Sequence, residues 1–274
     1  MAFRFCNLFS GSSGNCSYLE AGSGRYLIDA GLSGKRVQEG LASIDVDPKS
    51  LTGIFVTHEH RDHVHGVGVL SRRFKLPIYA NAKTWRGMES IIGKIAPENQ
   101  KIFISEEPFV LNALEVEAFL VHHDALEPVG YNFCYKGKKV TLVTDTGYAC
   151  QNIEDRIRGA NLYLVESNHD PEMLRMGPYP WPLKQRIKGK FGHLSNEDCG
   201  MMMSRVLDYR EEIVLLGHLS GENNFPELAF RTVADVLRTQ GFSPEEDVKL
   251  TMTYRDRRTK VFTLLEDEDG AMEL

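Results

Sequence analysis

The chain has 274 residues, a formal net charge of −6, 42% hydrophobic residues and 26% charged residues. These values are typical of globular proteins and exclude a disordered chain, a collagen and a disulfide-dense small protein. No apolar run approaches the roughly 18 residues of a membrane-spanning helix. The first residues lack the basic and apolar regions of a secretory signal. We therefore expect a cytoplasmic protein without a membrane partner, in which any nucleic acid binds a local basic patch.

Short apolar segments bounded by Gly, Ser, Asn and Pro predict strands, and amphipathic segments predict helices. In chain order, the predicted strands are residues 3–9, 16–20, 25–29, 53–57, 77–80, 113–121, 130–136, 139–144, 162–165, 212–216, 248–254 and 260–264. The predicted helices are residues 34–43, 66–74, 84–92, 152–158, 196–207 and 225–240, with Ser195 as the N-cap of the fifth.

Three further segments complete the prediction along the chain. Residues 171–190, which are rich in proline and basic residues, are expected to be irregular, and the last two strands to form a hairpin. The acidic residues 266–269 indicate a solvated tail. Strands in two groups with helices between them predict an α/β fold, a four-layer α/β/β/α sandwich forming a single domain over residues 1–274.

The five cysteines are an odd, scattered set without CxxC spacing. This pattern supports neither a disulfide framework nor a cysteine-based zinc site. We expect free thiols in a reducing compartment.

A histidine-rich string is the strongest signal in the sequence. His58, His60, Asp62 and His63 lie within six positions, directly after a predicted buried strand. Imidazole nitrogens and carboxylate oxygens are the ligands that zinc-type divalent metals take. The spacing differs from that of the HExxH zinc helix, because the residue four positions after His58 is Asp62. The string therefore predicts a metal-binding loop.

Further donors lie where other predicted strands end. They are His122 or His123 after the strand at 113–121, Asp145 after 139–144, and His218 after 212–216. Together with the loop they provide five histidines and two aspartates, which suits two divalent metals that share Asp145 and a bridging hydroxide. These ligand types suit zinc or manganese, and iron is also compatible.

The chain resembles the metallo-β-lactamase fold family over nearly its whole length. The residues that carry the resemblance are the His-x-His-x-Asp-His string, Asp29 in Leu-Ile-Asp-Ala-Gly, His123, Asp145 and His218. Longer strings, at residues 10–15, 76–81, 166–170 and 192–198, are similar to one branch, the YycJ/WalJ-like bacterial exonucleases. The resemblance implies a dinuclear metal hydrolase that degrades double-stranded DNA in the 5′→3′ direction.

The resemblance also assigns site residues. The first metal is expected at His58, His60 and His123, the second at Asp62, His63 and His218, with Asp145 as the bridge. Asp29 is expected to orient the histidine loop without binding metal, and His123 is preferred to His122. Glu166 and His193 resemble a pair in which the carboxylate orients an imidazole that protonates the leaving oxygen. Asp62, Glu166 and His193 are thus the predicted catalytic residues.

A basic run separates two of these strings. Lys184, Arg186, Lys188 and Lys190 lie within seven positions, which predicts contact with the DNA backbone. The alternative interpretation is a solvated surface.

The sequence leaves three other functions open. A small-molecule hydrolase, such as a lactonase or thioesterase, shares the fold, but such members do not usually have the strings between residues 166 and 198. Di-iron redox members have Glu where this chain has His60. A non-catalytic module with a degenerate site is disfavoured, because all seven expected ligands are present.

Overall fold

The computed structural model describes residues 2–208 and 211–266 of the chain. The strands are β1 (Phe3–Phe9), β2 (Cys16–Ala21), β3 (Gly24–Ile28), β4 (Gly53–Phe55), β5 (Ile78–Asn81), β6 (Gln100–Phe103), β7 (Phe109–Leu111), β8 (Leu114–Leu120), β9 (Val129–Tyr135), β10 (Lys138–Val143), β11 (Leu162–Glu166), β12 (Glu212–Gly217), β13 (Val248–Met252) and β14 (Phe262–Leu265). The α-helices are α1 (Gly34–Ala42), α2 (Arg61–Val64), α3 (Val67–Phe74), α4 (Ala82–Ile92), α5 (Gln151–Ile157), α6 (Pro171–Met176), α7 (Trp181–Lys188), α8 (Asn196–Val206) and α9 (Pro226–Thr239).

These strands form two mixed sheets. The first has the order β14-β1-β2-β3-β4-β5-β6 and the second the order β13-β12-β11-β10-β9-β8-β7. In the first sheet β3, β4, β5 and β6 are parallel, whereas β14, β1, β2 and β3 pair antiparallel. In the second sheet β10, β11, β12 and β13 are parallel. Helices lie between the parallel strands along the chain, as parallel connections require.

The chain divides into two compact units. Unit 1 comprises the residues up to 117, residues 133–138 and those from 254 onward; unit 2 comprises residues 118–132 and 139–253. In unit 1, buried apolar side chains such as Leu27, Ile54 and Leu70 join β3 and β4 to α3 in one core cluster. The single-domain interpretation of residues 1–274 stays a prediction.

Two predicted features are wrong. Residues 171–190 contain α6 and α7, because Pro171 and Pro182 occupy first-turn positions, where the missing N–H of proline costs nothing. The two strands at the end of the chain do not form a hairpin, since β13 pairs with β12 and β14 pairs with β1. Of the acidic tail expected at residues 266–269, residues 267–269 lie outside the described residues.

Other expectations agree with the structure. Ser195 caps α8 by accepting a hydrogen bond from Asp198 N at 3.1 Å. None of the five cysteines, all of which lie in the described residues, forms a disulfide. None of the helices in the described residues has the length and apolar character needed to span a membrane.

Candidate metal centre and active site

The first group of site residues follows two parallel strands of unit 1. Leu27 and Ile28 of β3 pair with Ile54 and Phe55 of β4, so both strands end at the same edge of the sheet. Asp29 follows β3 directly, and its N–H donates to Phe55 O at 2.8 Å. The histidine string begins three residues after β4, so the sheet brings Asp29 next to it.

Asp29 holds the start of the histidine string through three hydrogen bonds. Its Oδ1 accepts from Thr57 N at 2.9 Å, and its Oδ2 accepts from Thr57 Oγ1 at 2.9 Å and from His63 Nδ1 at 2.8 Å. A carboxylate accepts, so the His63 proton lies on Nδ1. His63 Nε2 then carries the lone pair, and it lies 3.1 Å from the Asn15 amide nitrogen. This is the tautomer that a metal-binding imidazole needs.

The string itself is half loop and half helix. His60 is the N-cap residue of α2, which carries Asp62 and His63 in a single turn. The His58 ring lies 4.7 Å from that of His60 and 4.1 Å from that of His63, centroid to centroid. Asp62 Oδ2 lies 3.6 Å from His63 Nε2. Three imidazoles and a carboxylate therefore lie close together in unit 1.

Gly31 is needed for this arrangement. A Cβ at position 31 would lie 1.6 Å from Asp62 O, so a side chain there would displace α2. Asn15 N donates to the same carbonyl at 2.8 Å. The turn at residues 10–15 thus holds α2 in place.

The second group of site residues follows three parallel strands of unit 2. Val143 of β10 pairs with Val165 of β11, which pairs with Leu216 of β12. Asp145, Glu166 and His218 lie at or just beyond the carboxyl ends of these strands. Ligand sites in α/β proteins form at this edge, because the strand ends present neighbouring loops there.

Two imidazoles face the Asp145 carboxylate. His218 Nε2 lies 3.4 Å from Asp145 Oδ1 and His123 Nε2 lies 3.8 Å from it. The His123 Nδ1 lies 3.1 Å from Gly192 O, which can only accept, so His123 also has its proton on Nδ1. Burial lowers the pKa of His123, which favours the neutral ring. Asp145, Glu166, His193 and His218 form a cluster with the donor types of a metal site.

Glu166 is fully buried and accepts four hydrogen bonds. Its Oε1 accepts from His193 Nδ1 at 2.7 Å and His218 Nδ1 at 2.8 Å. Its Oε2 accepts from Thr146 N at 3.0 Å and Leu194 N at 3.2 Å. Burial opposes ionisation of Glu166, but the two histidines outweigh it and hold its pKa below the usual range. One carboxylate thus orients both His193 and His218.

His193 occupies the exposed side of this cluster. Its side chain is 19% exposed, whereas those of Asp145 and His218 are almost fully buried. Burial lowers the pKa of His193, but the charge and hydrogen bond of Glu166 outweigh this effect and raise it. The Nδ1 of His193 donates a hydrogen bond to Glu166, so the Nε2 of His193 is the atom left for proton exchange.

His122 and His123 have different surroundings. His123 is buried with its ring 5.0 Å from that of His193. His122 is partly exposed, and its ring is stacked on that of Tyr148 at 5.7 Å. The structure thus brings His123, not His122, to Asp145.

The four basic residues of the run at positions 184–190 have different surroundings. Lys184 Nζ donates to Arg175 O at 2.8 Å and to Gly177 O at 2.7 Å, which satisfies carbonyls at the end of α6. Arg186 forms an ion pair with Asp124. Lys188 and Lys190 are exposed, and Lys190 Nζ lies 5.6 Å from the centre of the Tyr148 ring.

Sequence reasoning missed three residues that hold the site. Thr57 bridges Asp29 and the rings of His58 and His63, with its Oγ1 3.0 and 3.2 Å from their Nδ1 atoms. Asn15 contacts His63, and Thr146 N donates to Glu166. Each adjoins a predicted site residue or a turn-rich string, and this proximity is the only signal that could have found them.

Comparison with known proteins places this geometry in a family. The family model of the beta-lactamase superfamily domain matches residues 24–219. The exodeoxyribonuclease YycJ of Bacillus anthracis is 42% identical over 261 residues, which cover 95% of this chain and 99% of that protein. The exodeoxyribonuclease WalJ of Streptococcus pneumoniae serotype 2 is 43% identical over 94% of this chain and 97% of WalJ.

The chain belongs to the YycJ/WalJ family of the beta-lactamase superfamily. Among solved structures, the metallo-beta-lactamase fold protein YhfI from Bacillus subtilis superposes with a TM-score of 0.69 at 13% identity, covering 95% of this chain and 99% of YhfI. The predicted YycJ/WalJ-like resemblance is therefore confirmed. The predicted fold class, α/β with the metallo-β-lactamase fold, is confirmed as well.

Proposed function

We propose that this chain is a cytoplasmic, metal-dependent exodeoxyribonuclease that degrades duplex DNA in the 5′→3′ direction. The enzyme class follows from its family, since the relatives at 42–43% identity are named exodeoxyribonucleases. Five cysteines without a disulfide among the described residues agree with a reducing compartment. The single observation that carries the proposal is the arrangement around Asp145, where two metal-type imidazoles and the Glu166–His193 pair meet.

The donor chemistry of both units fits two divalent metals. We assign His58, His60 and His123 to the first ion, Asp62, His63 and His218 to the second, and Asp145 to both. His63, His123 and His218 each hold a proton on Nδ1 through an acceptor, which leaves Nε2 as the donor atom. Five imidazoles and two carboxylates suit zinc, manganese or iron. Divalent ions in such sites stabilise the charge of the phosphoryl transition state.

His193 acts on the leaving group. Hydrolysis of a phosphodiester adds water to phosphorus and breaks one P–O bond, and the departing alkoxide takes up a proton. The Nε2 of His193 supplies this proton, while Glu166 fixes the ring through Nδ1. Glu166 is therefore a positioning residue, and His193 is the general acid.

The basic run supplies phosphate contacts. Lys188 and Lys190 are exposed and placed on or beside the end of α7, three to five positions before His193. Arg186 contributes charge that Asp124 partly neutralises, and Lys184 is held by backbone carbonyls. We assign the strongest phosphate contacts to Lys188 and Lys190.

The proposal is tested with purified protein on end-labelled duplex DNA, single-stranded DNA and RNA. Chelator-treated protein should be inactive, and added Mn²⁺ or Zn²⁺ should restore cleavage of duplex DNA from the 5′ end. Asp145→Asn should lower activity by roughly a hundredfold or more, since even residues that only orient ligands are worth about 10–100-fold. The matched control, Asp155→Asn on the exposed face of α5, should behave as the parent.

Two results would contradict the proposal. Full activity with no metal, or with one tightly bound metal by elemental analysis, excludes the dinuclear site. Absence of DNA cleavage under every metal condition excludes the nuclease.

A further inference from the structure

Three aromatic rings and one ammonium group form a surface cluster in unit 2, which we call the ring patch. The His122 ring is stacked on Tyr148 at 5.7 Å and 24°, and meets Phe191 edge-on at 6.4 Å. Lys190 Nζ lies 5.6 Å from the Tyr148 ring centre. Tyr148 is 48% exposed and Phe191 is 56% exposed. Contiguous exposed apolar groups mark interaction sites, whereas single scattered ones are normal on a protein surface.

The backbone holds the ring patch in place. Gly147 N donates to His122 O at 2.9 Å, and His122 N donates to Thr146 Oγ1 at 3.3 Å. A Cβ at Gly147 would lie 2.3 Å from Gly189 O, so the loop that carries Tyr148 is packed directly on the loop that carries Phe191. The rings are thus presented on three joined loops, and little ordering is required on binding.

Each ring adjoins a residue of the active site. His122 precedes His123, Tyr148 follows Asp145 by three positions, and Phe191 precedes His193 by two. The rings of His123 and His193 lie 5.0 Å apart, so the three loops converge at this point. The ring patch therefore lies at the edge of the group that contains the proposed general acid.

We propose that the ring patch stacks the nucleobase of the terminal nucleotide while His193 acts on the neighbouring phosphodiester. This inference rests on the proposed nuclease function and adds a binding subsite to it. Aromatic faces stack on any base. The Lys190 ammonium beside Tyr148 can also attract the π-face of a base or a phosphate. The subsite would hold the end of the strand without reading its sequence, as an exonuclease requires.

The experiment compares three end-labelled duplexes of one sequence. One is unmodified, one has an abasic residue at the 5′ terminus, and one has it at the 3′ terminus, so either direction of digestion is covered. In the parent, loss of the base at the cleaved end should lower kcat/KM for the first cleavage about tenfold, the size of one aromatic stacking contact. Tyr148→Ala and Phe191→Ala should each reduce this discrimination to about twofold.

Two variants serve as controls. Tyr148→Phe keeps the ring and should discriminate as the parent does. Trp181→Ala removes another exposed aromatic side chain of unit 2, outside the ring patch, and should also discriminate as the parent does. Circular dichroism and thermal unfolding establish that each variant is folded.

The outcomes separate this inference from the nuclease proposal. If the parent cleaves DNA but ignores the abasic residue at both ends, or if Tyr148→Ala and Phe191→Ala discriminate as strongly as the parent, the ring patch does not hold a base. The exposed rings would then serve another partner, such as a protein, and the nuclease proposal would stand. If the parent cleaves no DNA, both proposals are wrong.

Discussion

Three residues of the candidate site adopt a backbone conformation that is uncommon outside glycine. Asp29, Asp145 and His218 have φ angles of 57°, 56° and 55°, and each follows a strand directly or within two residues. The left-handed conformation is unfavourable for residues with a Cβ, and such strain is concentrated at functional sites. Strand spacing predicts where these residues lie, but it does not predict this backbone conformation.

Glu166 determines the tautomers of two histidines, and Glu166→Gln should reverse them. The backbone N–H groups of Thr146 and Leu194 can only donate, so the amide oxygen of glutamine must face them and its NH₂ must face His193 and His218. His218 Nδ1 then accepts, and its proton moves to Nε2, the atom that faces Asp145. Calorimetric titration should show metal affinity reduced about 10–100-fold.

The control for this change is Glu197→Gln, an exposed residue in the first turn of α8. It should bind metal as the parent does. An unchanged metal affinity in Glu166→Gln would show that the orientation of His218 does not depend on Glu166.

The general-acid role of His193 predicts a dependence on the leaving group. His193→Ala should lower kcat on DNA by about 10²–10⁴-fold, because the alkoxide must depart without a proton. A nitrophenyl phosphodiester has a leaving group that needs no proton, so its cleavage should fall far less. Steady-state kinetics on both substrates measure the difference, with the exposed His65→Ala as the matched control. Equal losses on both substrates, or loss of metal, would disprove the role.

At the level of secondary structure elements, local pattern predicts most strands to within two residues but does not determine their partners. The strands β6 and β7 were not predicted, since β6 is mostly exposed and β7 has only three residues. The helices α6 and α7 were not predicted because prolines in their first turns resemble those of loops. The pairing of β14 with β1 depends on contacts that no local pattern encodes.

The lysines of the basic run have different surroundings, so we expect them to contribute unequally to DNA binding. Replacement of Lys188 and Lys190 by alanine should lower the slope of log K against log salt by about 0.9 for each lost phosphate contact with duplex DNA. Lys184→Ala should leave the slope unchanged and lower the free energy of unfolding, since its ammonium bonds the Arg175 and Gly177 carbonyls. Fluorescence anisotropy at several salt concentrations and urea unfolding measure the two effects. An unchanged slope in the double variant would mean that the run is merely solvated.

For the whole molecule, the net charge of −6 repels a polyanionic substrate. Electrostatic attraction to DNA must therefore come from local groups, namely the proposed metals and Lys188 and Lys190. The family resemblance predicted the fold class and the candidate ligands because both depend on short strings. Roles such as those of Thr57 and Asn15 could not be predicted, because their contacts join segments distant in sequence.

Metal binding should also stabilise the folded chain, because the proposed ligands come together only after folding. A metal at about 100 times its dissociation constant adds roughly 2.7 kcal/mol to the free energy of unfolding. For a chain of this size, that raises Tm by about 5–10 °C. Differential scanning calorimetry with Mn²⁺ or Zn²⁺ against chelator measures the shift, and Asp145→Asn should reduce it. An identical Tm with and without metal would contradict the proposed centre.

The position of β14 beside β1 has a consequence for biosynthesis. Cys6 and Thr259, which are 253 positions apart, lie with their Sγ and O atoms 3.5 Å from each other next to this strand pair. On the ribosome, β1 and β2 emerge long before β14, and during this interval β1 presents an unpaired edge that can recruit another chain. The first sheet is therefore completed only after β14 has emerged. A nascent chain released before Phe262 would present that open edge to chaperones and proteases.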